Sequence, residues 1–273
     1  LSFREGYISN QIDLQAGAIP STPPAGHFRL YRRNGSLTYL DDIGTEHPLT
    51  ENSSGSLISL KEDFLSGYLN GSVAEFVLSI ANGGSNVLSS YESNPAGTMR
   101  MGILNVGVAM AANSRAGGIL NAGLLRFGDG IARLTIFARL SALATVADNF
   151  TMLLGFIDNN ASAAITDGVF FRYNAANANL IGVTSNAGAQ STVTLSKVMD
   201  TSWNRYDIEI NADATLATFY VDTVAVGTLA ANIPKTAGRE TSIGYGLHRT
   251  TTGTAKNLFM DSFELLAIST NPR

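Results

Sequence analysis

Few positions in this chain of 273 residues combine residue type and spacing in a way that chemistry could use. Asp207 and Glu209 stand two apart in the run WNRYDIEI. On a strand they share one face at about 7 Å between Cα atoms, which would suit the carboxylate pair of a retaining glycosidase. Tyr206, Ile208 and Ile210 alternate with Arg205, Asp207 and Glu209, however, so the favoured reading places both acids on the wet face of a half-buried strand. Asp158, Asn159 and Asn160, with Asp167 close behind, offer oxygen ligands of the kind Ca²⁺ takes. Turns use the same residue types for their own hydrogen bonds, and that reading is favoured. His27, His47 and His248 are far apart, with no i, i+4 pair, which argues against a metal cluster. No G-x-S-x-G elbow occurs, and the absence of cysteine removes thiolate chemistry. Trp203, the single Trp, could stack on a sugar but suits packing better at the start of a core strand. Arg32 and Arg33 flank a turn and solvate it. No catalytic residue, metal or cofactor is expected.

The elements that would position these groups read as strands. After Tyr206–Ile210, the residues Asn211 to Ala214 supply turn chemistry, and Leu216 to Val221 form a second run rich in β-branched and aromatic residues. Asp222 and Thr223 interrupt before a third run of Val224, Val226 and Leu229. Upstream, Arg133–Leu140, Phe150–Ile157 and Gly168–Tyr173 read as central strands. Met99 to Gly130 is punctuated by so many glycines that strands are favoured over helices. In the first quarter, Phe28, Leu30 and Tyr31 lead into Asn34-Gly35, the strongest short hairpin signal, and Leu37, Tyr39 and Leu40 return. A third short strand ends near Pro48. No unit of 20 to 50 residues recurs, so a solenoid or propeller is not expected.

Composition bounds the answer from outside. Hydrophobic residues make up 45% and charged residues 15%, which fits a globular chain and not a disordered one. A formal net charge of −4 gives no basic footprint for nucleic acid or an anionic membrane, and neither partner is expected. No apolar run reaches the roughly 20 residues that span a bilayer. The sequence begins at Leu1 without a Met, so an upstream attachment segment is expected.

Two resemblances sharpen this reading. The Trp203 strand with YDIEI, then FYVD and IP, and the closing run NLFMDSFELLAI (Asn257–Ile268), resemble the concanavalin A-like jelly roll of laminin-G modules, lectins and some glycan hydrolases. Where that family usually has Gly after the Asp, this chain has Thr223, and the hydrolases' E-x-D-x-x-E strand is missing. The resemblance implies an antiparallel all-β sandwich without the hydrolases' acid set. The phrase PSTPPAGHFRLYRRNGSLTYLDDIGTEHPL resembles a module of bacteriophage tail fibres and head appendages, where a Pro-rich connector and an LY…NG…L hairpin precede a larger distal domain in a trimer.

The expected layout is therefore an extended arm and Pro-rich linker over 1–26, and a small three-stranded meander for oligomerisation over 27–50. A Ser-rich linker over 51–59 and a jelly roll over 60–273 follow. Phe28, Leu30, Tyr31, Leu37 and Tyr39 are the oligomerisation candidates, because a meander of this size has too little core to stand alone. Ligand contacts are expected from the loops Asp158 to Asp167, Thr184 to Gln190 and His248 to Ala255, with Asp158, Asn159, Asp167 and Arg249 as candidates. The resemblances imply a virion protein, a homotrimer bound to other virion proteins and adhesive to a host glycan. The alternatives are a capsid decoration protein and a secreted glycan-binding or glycan-hydrolysing jelly roll.

Overall fold

The computed structural model describes residues 29–33, 36–40, 46–49, 56–62, 76–93, 99–120, 123 and 125–269, with side chains at 60, 80–86, 103–120, 123 and 125–268. The chain divides into two compact units, Leu1–Gly55 and Ser56–Asn271. In the first, β1 (Arg29–Arg33), β2 (Ser36–Leu40) and β3 (Glu46–Leu49) form an antiparallel sheet in that order. Arg33 stands opposite Ser36, the register that the intervening Asn34-Gly35 favours. Leu30 faces Tyr39 across the pair, and Leu37 faces Leu49 on the next. Phe28, the side chains of Leu30, Tyr31, Leu37 and Tyr39, and the arm and linker over 1–26 lie outside the described residues.

The second unit is an antiparallel jelly-roll sandwich. Its strands are β4 (Ser56–Glu62), β5 (Phe76–Ala81), β6 (Ser85–Ser93), β7 (Met99–Val108), β8 (Arg115–Leu120), β9 (Gly130–Leu140) and β10 (Phe150–Ile157). They continue with β11 (Gly168–Asn174), β12 (Asn177–Asn186), β13 (Ala189–Val198), β14 (Asn204–Ile210), β15 (Ala217–Val221), β16 (Val224–Leu229), β17 (Ser242–Arg249) and β18 (Lys256–Ser269). Seven strands form one sheet in the order β13-β12-β11-β10-β17-β8-β5. The other sheet runs β16-β15-β14-β9-β18-β7-β6, and β4 joins it by pairing with β18.

The two inner faces make the core, and period-two alternation places their residues. Leu134, Ile136 and Leu140 on β9 and Tyr206, Ile208 and Ile210 on β14 meet Phe150, Met152, Leu154 and Phe156 on β10. Phe171 lies edge-on to Tyr206 and Phe219, with ring centroids 5.4 and 5.2 Å apart. Each such side chain contributes about 1.5–3 kcal/mol by leaving water. The sheet of β10 and β17 is also covered on its outer side. There Ile119, Leu153, Ile157, Phe170 and Val183 form a second apolar cluster, capped by Ile165 from the segment between β10 and β11.

Several expectations need correction. β4 starts at Ser56, inside the stretch read as linker, because Ser56 to Glu62 pair residue for residue with Ser269 to Phe263 of the closing strand. Thr184 to Gln190 is not an open loop. Thr184 is buried in β12, where its hydroxyl donates to Ala231 O at 2.6 Å, and Gln190 belongs to β13. Asp207 is not wet. Its carboxylate is fully buried under Arg205, which grips both oxygens at 2.8–3.1 Å, while Thr135 donates at 2.5 Å and Arg133 lies at 3.4 Å. Arg249 is not a loop residue either; it ends β17 with its side chain fully buried.

Candidate functional site

The expected loop residues turn out to hold the fold. The Asp158 carboxylate accepts from Thr166 N and from Asn159 Nδ2, both at 3.2 Å, and Asn159 also donates to Ala164 O at 3.3 Å. Asp167 is buried, accepts from Ala187 N at 2.8 Å and pairs with Arg239 at 3.2 Å. Ser185 donates to the carbonyls of Ile165 and Thr166, so the whole segment is tied down with Ile165 against the sheet. These groups converge on the loop itself. Among the described residues no group of three or more His, Asp or Glu side chains is placed to hold a metal ion.

Arg249 belongs to a second structural knot. Asp148, in the loop before β10, accepts from Arg249 Nη1 at 2.5 Å, from Thr254 Oγ1 at 2.6 Å and N at 3.1 Å, and pairs with Lys256 Nζ at 3.1 Å. Burial alone would raise this carboxyl, but hydrogen bonds from Thr254, Arg249 and Lys256 outweigh it and hold the group well below the ordinary carboxylate range. Arg249 also donates to Thr254 O. The knot joins three chain segments.

Toward its other end the outer face of the seven-stranded sheet is also largely covered: Gly117, Leu153, Gly246 and His248 are buried, and Arg115, Thr151 and Arg172 are half-buried. Residues out of phase with the core alternate onto this face: Arg115 and Gly117 on β8, Gly246 and His248 on β17, Thr151 and Leu153 on β10, and Arg172 on β11. His248 sits opposite Arg115 on one side and Thr151 on the other. Gly246 makes room for it, since a Cβ there would lie 2.7 Å from His248 Nε2. A Cβ on Gly117 would come within 2.6 Å of Tyr245 O and 3.4 Å of Asn160 O, so the chain packs closely over this buried glycine. Burial and the neighbouring Arg115 push the His248 imidazole down to about 4, which keeps it neutral at neutral pH.

Three nitrogens on this face are left over. Arg115 Nε, Arg172 Nε and His248 Nε2 are each buried and make no hydrogen bond, although Arg172 Nη1 reaches Gln190 at 3.1 Å. A buried polar atom without a partner costs about 1–3 kcal/mol, so the three together are a local cost to the fold. His248 is 7% exposed, whereas Arg115, Thr151, Arg172 and Ile181 around it are half-buried. Sequence reading missed the group because its members come from strands β8, β11 and β17. The only signal was Gly246, which leaves room for His248.

A concavity of about 340 Å³ opens among Arg126, Phe127, Gly128, Asp129, Asp213, Lys235 and Thr236. Arg126 and Asp129 satisfy each other there at 2.6 Å. On the outer face of the other sheet, Trp203 packs beside Arg139, whose guanidinium lies 5.7 Å from the Trp ring centre and 4.6 Å from that of Phe259. Trp203 is thus partly engaged by protein.

Residues 99–261, well over half of the chain and most of the sandwich, match the family model for the SO2946-like C-terminal domain. The chain belongs to that family. The crystal structure of SO2946, a protein of unknown function from Shewanella oneidensis MR-1, is similar at 16% identity and a TM-score of 0.55, covering 82% of this chain and 91% of that one. At that identity the likeness shows a shared fold. More distant are the Bacillus licheniformis β-glucanase, at 11% identity and a TM-score of 0.45 over 76% of this chain and 97% of that one, and the endo-β-1,4-glucuronan lyase of the fungus Trichoderma reesei. The lyase stands at 11% and 0.48, over 77% and 94%. Among curated proteins none matches this sequence. The matched family region contains Arg115, Thr151 and Arg172 as well as His248, so this face lies within the family's own domain.

Proposed function

We propose that this chain is a non-enzymatic, adhesive appendage of a tailed-bacteriophage virion, a tail fibre or head fibre. In it the meander unit gathers chains into a trimer and the sandwich contacts a glycan on the host surface. The observation that supports this reading is the order of parts. A three-stranded sheet of 14 strand residues, 5 in β1, 5 in β2 and 4 in β3, precedes a large jelly roll. Such a sheet has too little core to persist alone and has no disulfide to help it, so partner chains are the natural source of its stability. The resemblance of residues 20–49 to phage appendage modules points the same way.

Binding is favoured over turnover because the acid best spaced for glycan hydrolysis, Asp207, has both oxygens occupied by Arg205 and is sealed from water. A general acid or base must reach its substrate, and this one does not. The test is the mass in solution by light scattering over a series of dilutions. A mass three times the 28.8 kDa of one chain, unchanged on dilution, is expected. A monomer at every concentration would overturn the proposal, and antibody labelling of virions would then have nothing to locate.

A further inference from the structure

We infer that the hollow bounded by Arg126, Asp129, Asp213, Lys235 and Thr236 is a site for a neutral sugar unit of a glycan, with Asp213 and Lys235 as its recognition groups. The inference rests on the adhesive reading above and adds where the sandwich binds and which sugar class it takes. Its basis is an open concavity of about 340 Å³ with an unpaired acid and an unpaired cation on its walls. That volume falls at the small end of ligand sites, roughly 300–1,000 Å³, and suits one or two rings better than a long chain.

The protein itself holds the walls in place. Three chain segments meet here: residues 125–130 before β9, the turn between β14 and β15, and the segment between β16 and β17. Leu125 and Thr241 exchange two backbone hydrogen bonds at 2.8 and 2.9 Å, and Gly130 N donates to Ala212 O at 3.1 Å. Phe127 packs edge-on against Phe156 with ring centroids 5.1 Å apart, which anchors the first segment in the core. Asn211 Oδ1 accepts from the N–H groups of Thr215 and Leu216 at 2.8 and 2.9 Å, and so fixes the turn that carries Asp213. Gly128, with φ of +101°, is closely flanked: a Cβ there would lie 3.5 Å from that of Lys235 and 3.9 Å from that of Ala214. A site whose frame is already ordered loses less entropy on binding.

The chemistry of the walls selects the ligand. Arg126 and Asp129 neutralise each other at 2.6 Å. Asp213, Lys235 and Thr236 are exposed, and among the described residues their side chains make no hydrogen bond or ion pair. An ionised carboxylate only accepts and an ammonium only donates, whereas each hydroxyl does both. One sugar ring therefore satisfies all three, donating to Asp213, accepting from Lys235 and doing either with Thr236. The four charges around the hollow, two of each sign, cancel. An anionic sugar meets the Asp213 carboxylate and a cationic one meets Lys235, and like charges brought together are costly. A neutral ring meets neither penalty.

The full chain would be screened on an array of neutral oligosaccharides with matched uronate, sialate and sulfated members. The tightest neutral hit would then be titrated by calorimetry, with free glycine as a competing zwitterion. Neutral members are expected to bind, and their anionic partners to bind at least tenfold more weakly. D213N and K235M should each weaken the hit tenfold or more, and T236W, which fills the hollow without altering its charge, should abolish it. R139M, nine residues along β9 from Gly130 and roughly 30 Å away, should leave affinity unchanged. The three altered wall residues are exposed, so each variant should melt within a few degrees of the parent; one that does not is set aside and the other two decide. Neutral-sugar binding indifferent to all three changes would overturn this inference and leave the adhesive reading standing. A preference for anionic members, or displacement of the sugar by glycine at equal concentration, would overturn the neutral-sugar assignment. Binding to no member of the array would overturn both this inference and the glycan contact in the adhesive reading.

Discussion

At the scale of single residues, His248 carries a prediction that needs no ligand. Its imidazole titrates near 4 in the folded chain, because burial and Arg115 disfavour the cation, against about 6.5 unfolded. Between those values the unfolded chain binds a proton that the folded chain refuses. Stability attributable to this residue is therefore complete above about pH 6.5 and declines as pH falls toward 4. Urea unfolding of the parent and of H248Q, whose side chain stays neutral, should diverge below pH 6.5, the parent losing about 2–3 kcal/mol more by pH 4.5. Parallel curves would mean that His248 is protonated in the fold. Residues were also where sequence reading failed most plainly. Asp207 obeys the polar half of a period-two pattern, yet Arg205 and Arg133 fold over it and exclude water. Arg249 follows Tyr245 and Leu247 in the inward phase, and only the carboxylate of Asp148, 101 residues away in sequence, lets a guanidinium occupy that place. Arg133 and Asp148 are too far away in sequence to announce the burial, and Arg205, two residues from Asp207, reads equally well as a neighbour on a wet face.

Among the elements, the hairpin of β15 and β16 is the sharpest case. Val221 stands opposite Val224, so Asp222 and Thr223 alone make the turn, with φ of +50° and +69°. Positive φ at both central positions matches the right-handed twist of the strands and ordinarily selects Asn-Gly or Asp-Gly. Thr223 is β-branched and pays for that conformation with strain of about 1–2 kcal/mol. T223G should thus raise stability by about 1 kcal/mol, or the melting midpoint by about 2–4 °C, measured by calorimetry. A lower midpoint would show that the Thr223 side chain contributes more than the strain costs. Strands with apolar runs bounded by Asp, Asn and Gly, such as β10, were legible from sequence. β12 and β13 were not. Their polar runs NANLIGVTSN and AQSTVTLSKV resemble loops, and β13 at the sheet edge buries only Leu195 among its ten residues.

For the whole molecule, the question is which part folds alone and which part needs company. The sandwich closes on β18, whose C-terminal half pairs with β9 on one side and β4 on the other. A chain beginning at Ser56 keeps that arrangement; one beginning after Glu62 strips β4 away, exposes the ladder from Phe263 to Ser269 and removes Leu60 from its place against the core. Leu60 is partly buried, so it contributes less than the roughly 1.5–3 kcal/mol of full burial, and an unpaired strand edge invites association with other chains. The chain starting at Ser56 should melt cooperatively within a few degrees of the parent, while the shorter one should melt lower and aggregate. The same two chains test where assembly resides. If the meander of β1 to β3 holds the trimer, the Ser56 chain should scatter light as a monomer with its fold intact. A trimer that survives this deletion would transfer assembly to the sandwich, where Ile131, Leu266 and Ile268 are between 37% and 46% exposed on the outward phase of neighbouring strands β9 and β18. That strip, not the meander, would then be the surface to interrupt with a charge.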